Sequence, residues 1–141
     1  MIEILAAVAI LGVTLTSVLG LINFSLTAAS LAKQTTQADA RAQEAMEAVR
    51  NIRDSDWAKL TNGNHGLTKT LGYWDFLGTE NVVDGFTRTI LIEGVYRDAN
   101  NNMAESGNAD PNTRKTTVIV SWSERGRVHQ VSLVTYFTNW R

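Results

Sequence analysis

Cysteine is absent from the 141-residue sequence, and proline occurs only once. The lack of cysteine excludes disulfide bonds, a thiolate nucleophile and any cysteine-ligated metal. No proline interrupts residues 1–54, so this part of the chain contains no strong helix breaker. Positive charge is also missing before Lys33, whereas a secretory signal peptide carries positive charge ahead of its apolar core. These absences favour a long N-terminal helix over a signal peptide.

The charges of the chain are nearly balanced, with a net charge of −1 and an isoelectric point of about 6.1. This balance gives no electrostatic case for binding nucleic acids, and there is no basic run that would bind anionic lipids. The two histidines, His65 and His129, lie in a predicted turn and a predicted strand, outside any recognisable nucleophile or zinc-binding motif. We therefore expect a protein that is not an enzyme and that needs no cofactor.

The stretch from Ile4 to Ala32 contains no charged residue. As a helix it is long enough to cross the roughly 30 Å hydrocarbon core of a bilayer, which takes about 20 residues. A single carboxylate, Glu3, lies immediately before it. A lone acid is costly in lipid and therefore suggests a binding partner. A plain membrane anchor would tolerate Glu3 at the interface but gives no reason for its presence.

The N-terminus resembles that of mature bacterial type IV pilins and type II secretion pseudopilins. The residues that carry this resemblance are Met1-Ile2-Glu3-Ile4-Leu5-Ala6-Ala7-Val8-Ala9-Ile10-Leu11-Gly12. In that family a prepilin peptidase removes a leader, and the mature chain starts with a methylated aromatic residue slightly before the equivalent of Met1. The sequence shows neither the leader nor that residue.

The resemblance implies a role for Glu3 in assembly. In the family, the equivalent acid pairs with the N-terminal ammonium of a neighbouring subunit. Physical chemistry agrees with such a pair, because two opposite charges in a low-dielectric helix bundle offset each other's desolvation cost.

From Phe24 the apolar run turns into an amphipathic pattern. Small and apolar residues recur at spacings of three and four, which predicts one buried stripe along a helix that ends near Asp54. The stripe consists of Phe24, Ala28, Leu31, Thr35, Ala38, Ala42, Ala45, Val49 and Ile52. A continuous helix of this length would run about 80 Å at 1.5 Å per residue.

Two glycines, Gly12 and Gly20, interrupt the apolar half of this helix. Each costs about 1 kcal/mol of helix propensity relative to alanine. In pilin filaments the helix often loses regularity between a glycine and a proline in this region. Gly12 lies at the place of that glycine, and Gly20 lies near the place of the missing proline. We therefore expect local unwinding between Gly12 and Gly20 in an assembled filament.

The rest of the chain reads as loops and antiparallel strands. Residues 55–85 combine turn chemistry with short strand pieces and a group of aromatic residues around Trp74. Phe86–Tyr96, Thr116–Glu124 and Val128–Phe137 show strand composition, and the last two are joined by a tight turn that predicts a hairpin.

Together these patterns predict an α+β protein, in which a long N-terminal helix packs on a C-terminal antiparallel sheet of three or four strands. This is the order of elements in pilins. We expect residues 1–30 to be the transmembrane or filament-core half of the helix and residues 31–54 to be its head-packed half. Residues 55–141 would form the β head.

An oxygen-rich loop is a candidate calcium site, since Ca²⁺ prefers such ligands. Asp98, Asn100 and Asn102 stand at alternate positions, and Asp110 follows them. Some pseudopilins bind calcium in a loop near the C-terminus. However, Met103 occupies the position where an EF-hand needs glycine. The alternative is a polar loop whose asparagines serve its turns.

The resemblance implies a structural subunit of a type IV pilus. The chain would lie in the bacterial inner membrane before joining an extracellular filament for adhesion, motility or DNA uptake. The implied partners are identical or related pilins, the prepilin peptidase, and the assembly platform with its ATPase. Two alternatives stay open: a minor pilin or type II secretion pseudopilin, and a membrane-tethered binding domain that never polymerises.

Overall fold

A computed structural model describes residues 1–140 of the chain and confirms the predicted α+β class. One helix, α1, spans Ile2–Ser55 and is followed by antiparallel strands. Its end lies one residue beyond the predicted Asp54. The chain divides into two compact units, Met1–Thr36 and a second unit that begins at Gln37. We call the second unit the head.

Three long strands form the main sheet of the head: β5 (Phe86–Arg97), β7 (Asn108–Glu124) and β8 (Arg127–Thr138). The predicted hairpin is confirmed, because β7 and β8 pair in register from Glu124 and Arg127 at the turn to Thr113 and Thr138. The turn itself consists of Arg125 and Gly126, both with positive φ angles (50° and 75°). Two such residues are typical of the type I′ turn that joins strands directly.

The head contains more strands than the three or four that we predicted, because several short strands join the long ones. β1 (Gly63–His65), β4 (Asn81–Val83) and β6 (Met103–Ala104) each pair with the side of β5 that faces away from β7. β2 (Leu67–Thr70) and β3 (Tyr73–Phe76) form a separate hairpin. These pieces of two to four residues are too short to show a reliable period in the sequence.

β7 begins at Asn108, earlier than the predicted Thr116. The pairing of β5 with β7 shifts register between Gly94 and Val95, so that Gly94 faces Arg114 while Val95 faces Asp110. This irregularity skips residues 111–113 and lets the pairing continue. Sequence alternation is lost across such a shift, which explains why the strand was predicted to start later.

The core of the head lies between α1 and one face of the main sheet. The predicted helix stripe is confirmed from Ala38 onward, where its members are buried. Their small side chains allow the close approach expected of an alanine-rich face. On β7, the predicted alternation is also confirmed, with Val118, Val120 and Trp122 buried. The remaining buried apolar residues of the helix and the long strands are Met46, Ala48, Phe86, Ile90, Ile92, Val95 and Phe137.

Candidate functional site

The first unit is a helix whose apolar side chains have no cover. From Ile4 to Leu26, each of its large apolar residues exposes half or more of its surface, and they occur on all sides of the helix. They include Ile4, Leu5, Val8, Ile10, Leu11, Val13, Leu15, Val18, Leu19, Leu21, Ile22, Phe24 and Leu26. Removing apolar surface from water contributes roughly 25 cal/mol per Å². The helix is also long and apolar enough to cross a membrane, so lipid or other apolar helices would stabilise it.

Hydroxyl groups within this apolar helix are satisfied by its own backbone. Thr14 Oγ1 donates to the Leu11 carbonyl at 2.9 Å, and Ser17 Oγ donates to the Val13 carbonyl at 2.9 Å. Thr16 Oγ1 reaches the Gly12 carbonyl at 3.1 Å. Such bonds remove the cost of a polar group in an apolar environment, and they also tend to bend a helix.

Glu3 lies exposed in the first turn of α1. This position is favourable for a carboxylate, because the N-terminus of a helix carries a partial positive charge. The predicted partner of Glu3 is an amine of another subunit, so its role concerns an assembly and remains a prediction.

Gly12 and Gly20 lie within regular helix in the single chain. A methyl group built at either position meets no atom within 4 Å. Crowding inside the chain therefore does not explain either glycine. The predicted unwinding concerns the assembled filament and stays a prediction.

The oxygen-rich loop is closed by hydrogen bonds to Asp98. Its Oδ1 accepts from the backbone N–H of Asn100 at 2.9 Å and from that of Asn102 at 2.8 Å. Its Oδ2 accepts from the Asn102 side-chain amide at 3.2 Å. These bonds, chiefly those from Asn102, lower the pKa of Asp98. This is the arrangement of a polar turn.

The fourth predicted ligand, Asp110, lines the same shallow cleft as Asp98. Its Oδ2 accepts from Thr113 Oγ1 and from Arg97 Nε, each at 2.7 Å. With a further bond from the Asn112 N–H, these contacts lower the pKa of Asp110 to about 2.

Arg97 supplies a positive charge where the calcium ion was predicted. Its guanidinium binds Asp110 and also donates to the Asn101 carbonyl at 3.0 Å. A cation bound to Asp110 would have to compete with this guanidinium. Within residues 1–140, no group of three His, Cys, Asp or Glu side chains could hold a metal. The calcium site remains a prediction that nothing in this geometry favours.

Sequence reasoning missed a buried arginine in the head. Arg88 on β5 is only 2% exposed. Its Nη1 lies 3.3 Å from Glu44 Oε2 on α1, and its Nε lies 3.3 Å from Asn81 Oδ1 on β4. Burial lowers the pKa of Arg88 while Glu44 opposes that shift. The signal was present, because Arg88 falls among the inward positions Phe86 and Ile90 of an alternating strand.

The same acid also connects to a second arginine. Arg41 of α1 pairs with Glu44 and with Asp84, which precedes β5. Glu44 therefore joins two guanidinium groups, one buried and one half-exposed. We call residues 37–55, the part of α1 that belongs to the head, its head segment. The network fixes this head segment against β5 and the loop before β5.

The aromatic residues before the main sheet divide between burial and exposure. Phe76 packs on His65 with ring centroids 4.6 Å apart, and Trp74 lies half-buried beneath Lys69. Tyr73 is largely exposed, as is Leu71 in the adjacent turn. Packing within the head therefore accounts for Trp74 and Phe76 but not for Tyr73.

No family model matches this sequence, and comparisons with curated proteins and with solved structures also find no match. The class of protein therefore rests on the fold and on the apolar helix. The chain is an α+β protein in which a long N-terminal helix precedes an antiparallel sheet, an arrangement compatible with a pilin-like fold. Its first unit is consistent with association with a membrane.

Proposed function

We propose that this chain is a structural subunit of a bacterial type IV pilus. The observation that carries the proposal is the exposed apolar half of α1, which continues as the amphipathic segment that packs on the sheet. In a filament, the apolar halves of many copies would cover one another and the heads would lie outside. A membrane would cover the same surface before assembly.

In this proposal Glu3 aligns the incoming subunit. Its carboxylate would pair with the N-terminal amine of a neighbouring copy within the apolar bundle. Away from water, each charge offsets the desolvation cost of the other, so a misplaced subunit would leave both charges unpaired. The proposed partners are related pilins, a prepilin peptidase, and the inner-membrane assembly platform with its ATPase. No catalytic role or cofactor is proposed.

The experiment is microscopy of filaments sheared from cells, labelled with an antibody to the head. Label along the whole fibre is the expected result. Label restricted to the tip would favour a minor pilin. Protein that stays in the membrane fraction without any labelled fibre would favour the pseudopilin or the tethered binding domain.

A matched pair of variants tests the role of Glu3. Glu3→Gln removes the charge with little change of shape, whereas Glu105→Gln does the same at an exposed loop position of the head. We expect Glu3→Gln to abolish labelled fibres while Glu105→Gln leaves them unchanged. Normal fibres from Glu3→Gln cells would contradict the assembly role.

A further inference from the structure

The last strand of the head, β8, forms one edge of the main sheet. It pairs with β7 along all its 12 residues without a shift in register. In the part of the chain that the structure describes, no other strand pairs with β8. The opposite edge of the sheet differs, because three short strands cover β5 there.

The hairpin turn determines which backbone groups of β8 point outward. In a two-residue hairpin, the pair that flanks the turn exchanges hydrogen bonds, so the Arg127 amide and carbonyl point toward β7. Directions alternate along a strand, and the bond from the Asn139 N–H to the Asn112 carbonyl (2.8 Å) fits this alternation. The outward set therefore belongs to Val128, Gln130, Ser132, Val134 and Tyr136.

Proteins usually blunt such an edge with lysine, proline or a bulge. β8 contains neither lysine nor proline, and its only Arg, Lys, Asp or Glu residue is Arg127 at its first position. The side chains of the same outward set of residues lie on the solvent-facing side of the sheet, where Val128 is 77% exposed, Val134 is 50% exposed and Tyr136 is 48% exposed. A long, regular edge with apolar side chains is a template for pairing with another strand.

We propose that β8 pairs antiparallel with β8 of a second copy of this chain, about a two-fold axis at Ser132. In this register Ser132 faces its own equivalent, and every outward backbone group from Val128 to Tyr136 finds a partner. The pairing would form about ten backbone hydrogen bonds between the two copies.

The side chains of β8 are complementary to themselves in this register. Val128 would face Tyr136 of the second copy, and Val131 would face its Leu133. These are apolar or aromatic pairs of the kind that stabilise antiparallel sheets. The two Arg127 side chains would lie at opposite ends of the ribbon, so no like charges would meet. This self-complementarity is the reason to assign the edge to a second copy.

The two-fold axis has a consequence for the assembly. It reverses the direction of β8, and with it the direction of the head segment of α1, between the two copies. Copies within one polar filament all run the same way, so the pairing would join heads from two oppositely directed fibres. This consequence rests on the proposed function, whereas the pairing of β8 itself does not.

The contact is also small. A single edge-to-edge pair buries far less than the roughly 1,600 Å² of a standard stable interface. We therefore expect weak pairing of single heads and strong lateral bundling of fibres, where many weak contacts act together.

Because the chain has no cysteine, a single introduced thiol reports the pairing. Hydrogen-bonded antiparallel pairs have Cα atoms about 5.5 Å apart, which suits a disulfide. We expect the full chain carrying Ser132→Cys, oxidised in detergent micelles, to form a covalent dimer about tenfold faster than Ser123→Cys does, because pairing raises the local thiol concentration. Ser123 is also an exposed serine and lies on β7, so it controls for chance encounters within a micelle. Equal rates would overturn the proposal.

A second pair of variants tests the contact between fibres. Ser132→Lys would place two ammonium groups opposite each other on the two-fold axis, whereas Ser123→Lys adds the same charge one strand away. We expect Ser132→Lys to disperse bundles into single fibres and Ser123→Lys to leave them bundled. Bundles that persist with Ser132→Lys would contradict the proposal. If no fibres form at all, the micelle experiment still decides whether β8 pairs.

Discussion

The two ends of α1 show how one helix can be built for two surroundings. Up to Phe24 and Leu26 the large apolar residues lie on every side and are exposed. From Ala38 onward only one stripe is apolar, and it is buried against the sheet. The backbone is the same regular helix throughout. The side chains alone therefore decide whether a segment is stabilised by its own chain or by whatever surrounds it.

The largest expected effect comes from removing a core side chain of the head. Ile52 is fully buried, so Ile52→Ala should lower the free energy of unfolding of the head by about 2–5 kcal/mol. Urea unfolding of the full chain in micelles, followed by tryptophan fluorescence, measures this. Ile22→Ala in the apolar half is the control and should leave the unfolding unchanged. Equal effects of both changes would remove the distinction between the two ends.

A charge in the apolar half should act on membrane insertion instead. Leu15 lies near the centre of a membrane span of about 20 residues that begins at Ile4. An aspartate near the centre of a membrane helix costs about 2.5–3.5 kcal/mol. We expect Leu15→Asp to shift the chain from the membrane fraction to the soluble or aggregated fraction. Gln43→Asp, at an exposed position of the head segment, should leave the distribution unchanged. Full membrane retention of Leu15→Asp would argue against a membrane-spanning helix.

The polar link between helix and sheet should contribute less than the core. Glu44→Gln leaves the buried Arg88 facing a neutral group, at a cost of about 1–2 kcal/mol given the partial exposure of Glu44. Adding Arg88→Met should recover part of this loss, since the unpaired charge is then gone. Thermal unfolding of the two variants and the double variant gives the coupling energy. Strict additivity would show that the two side chains act independently.

Acid should weaken the head through Asp110. Its pKa is about 2 in the folded chain against about 3.9 when unfolded, so its stabilising contribution is complete above roughly pH 4. The contribution should be lost as pH falls from 4 toward 2. Asp110→Asn should flatten this decline in the unfolding midpoint, whereas Asp39→Asn on the exposed helix face should not. Identical pH profiles for both variants would refute the assignment.

The smallest expected effect is that of calcium. Because Arg97 already neutralises Asp110, we expect neither EDTA nor added Ca²⁺ to change the melting temperature. Arg97→Gln would remove the competing charge and serves as the sensitised comparison. A calcium-dependent rise in the unmodified chain would show that the ion displaces Arg97, and would restore the predicted calcium site.

Sequence patterns predicted the elements that repeat regularly. The helix end near Asp54, the buried stripe from Ala38 and the alternation of β7 all follow from periods of 3.6 and 2.0, which local geometry imposes. The short strands, the register shift at Gly94 and the Glu44 contact of Arg88 arise from residues distant in sequence. No local period encodes them. The predicted calcium ligands Asp98 and Asp110 line one cleft, but the sequence did not indicate that Arg97 would pair with Asp110 there.

The two-residue turn at Arg125 and Gly126 sets more than a reversal of direction. Because the outward and inward sets of β8 alternate, a slip of β8 by one residue along β7 would exchange them. Phe137 would then face water, while the backbone groups now offered at the edge would turn toward β7. A slip of one residue thus separates a head whose β8 edge can pair with itself from one with a displaced core. An extra residue in this turn would therefore have to be taken up by a bulge, as in three-residue hairpin loops, if the core of the head is to be kept.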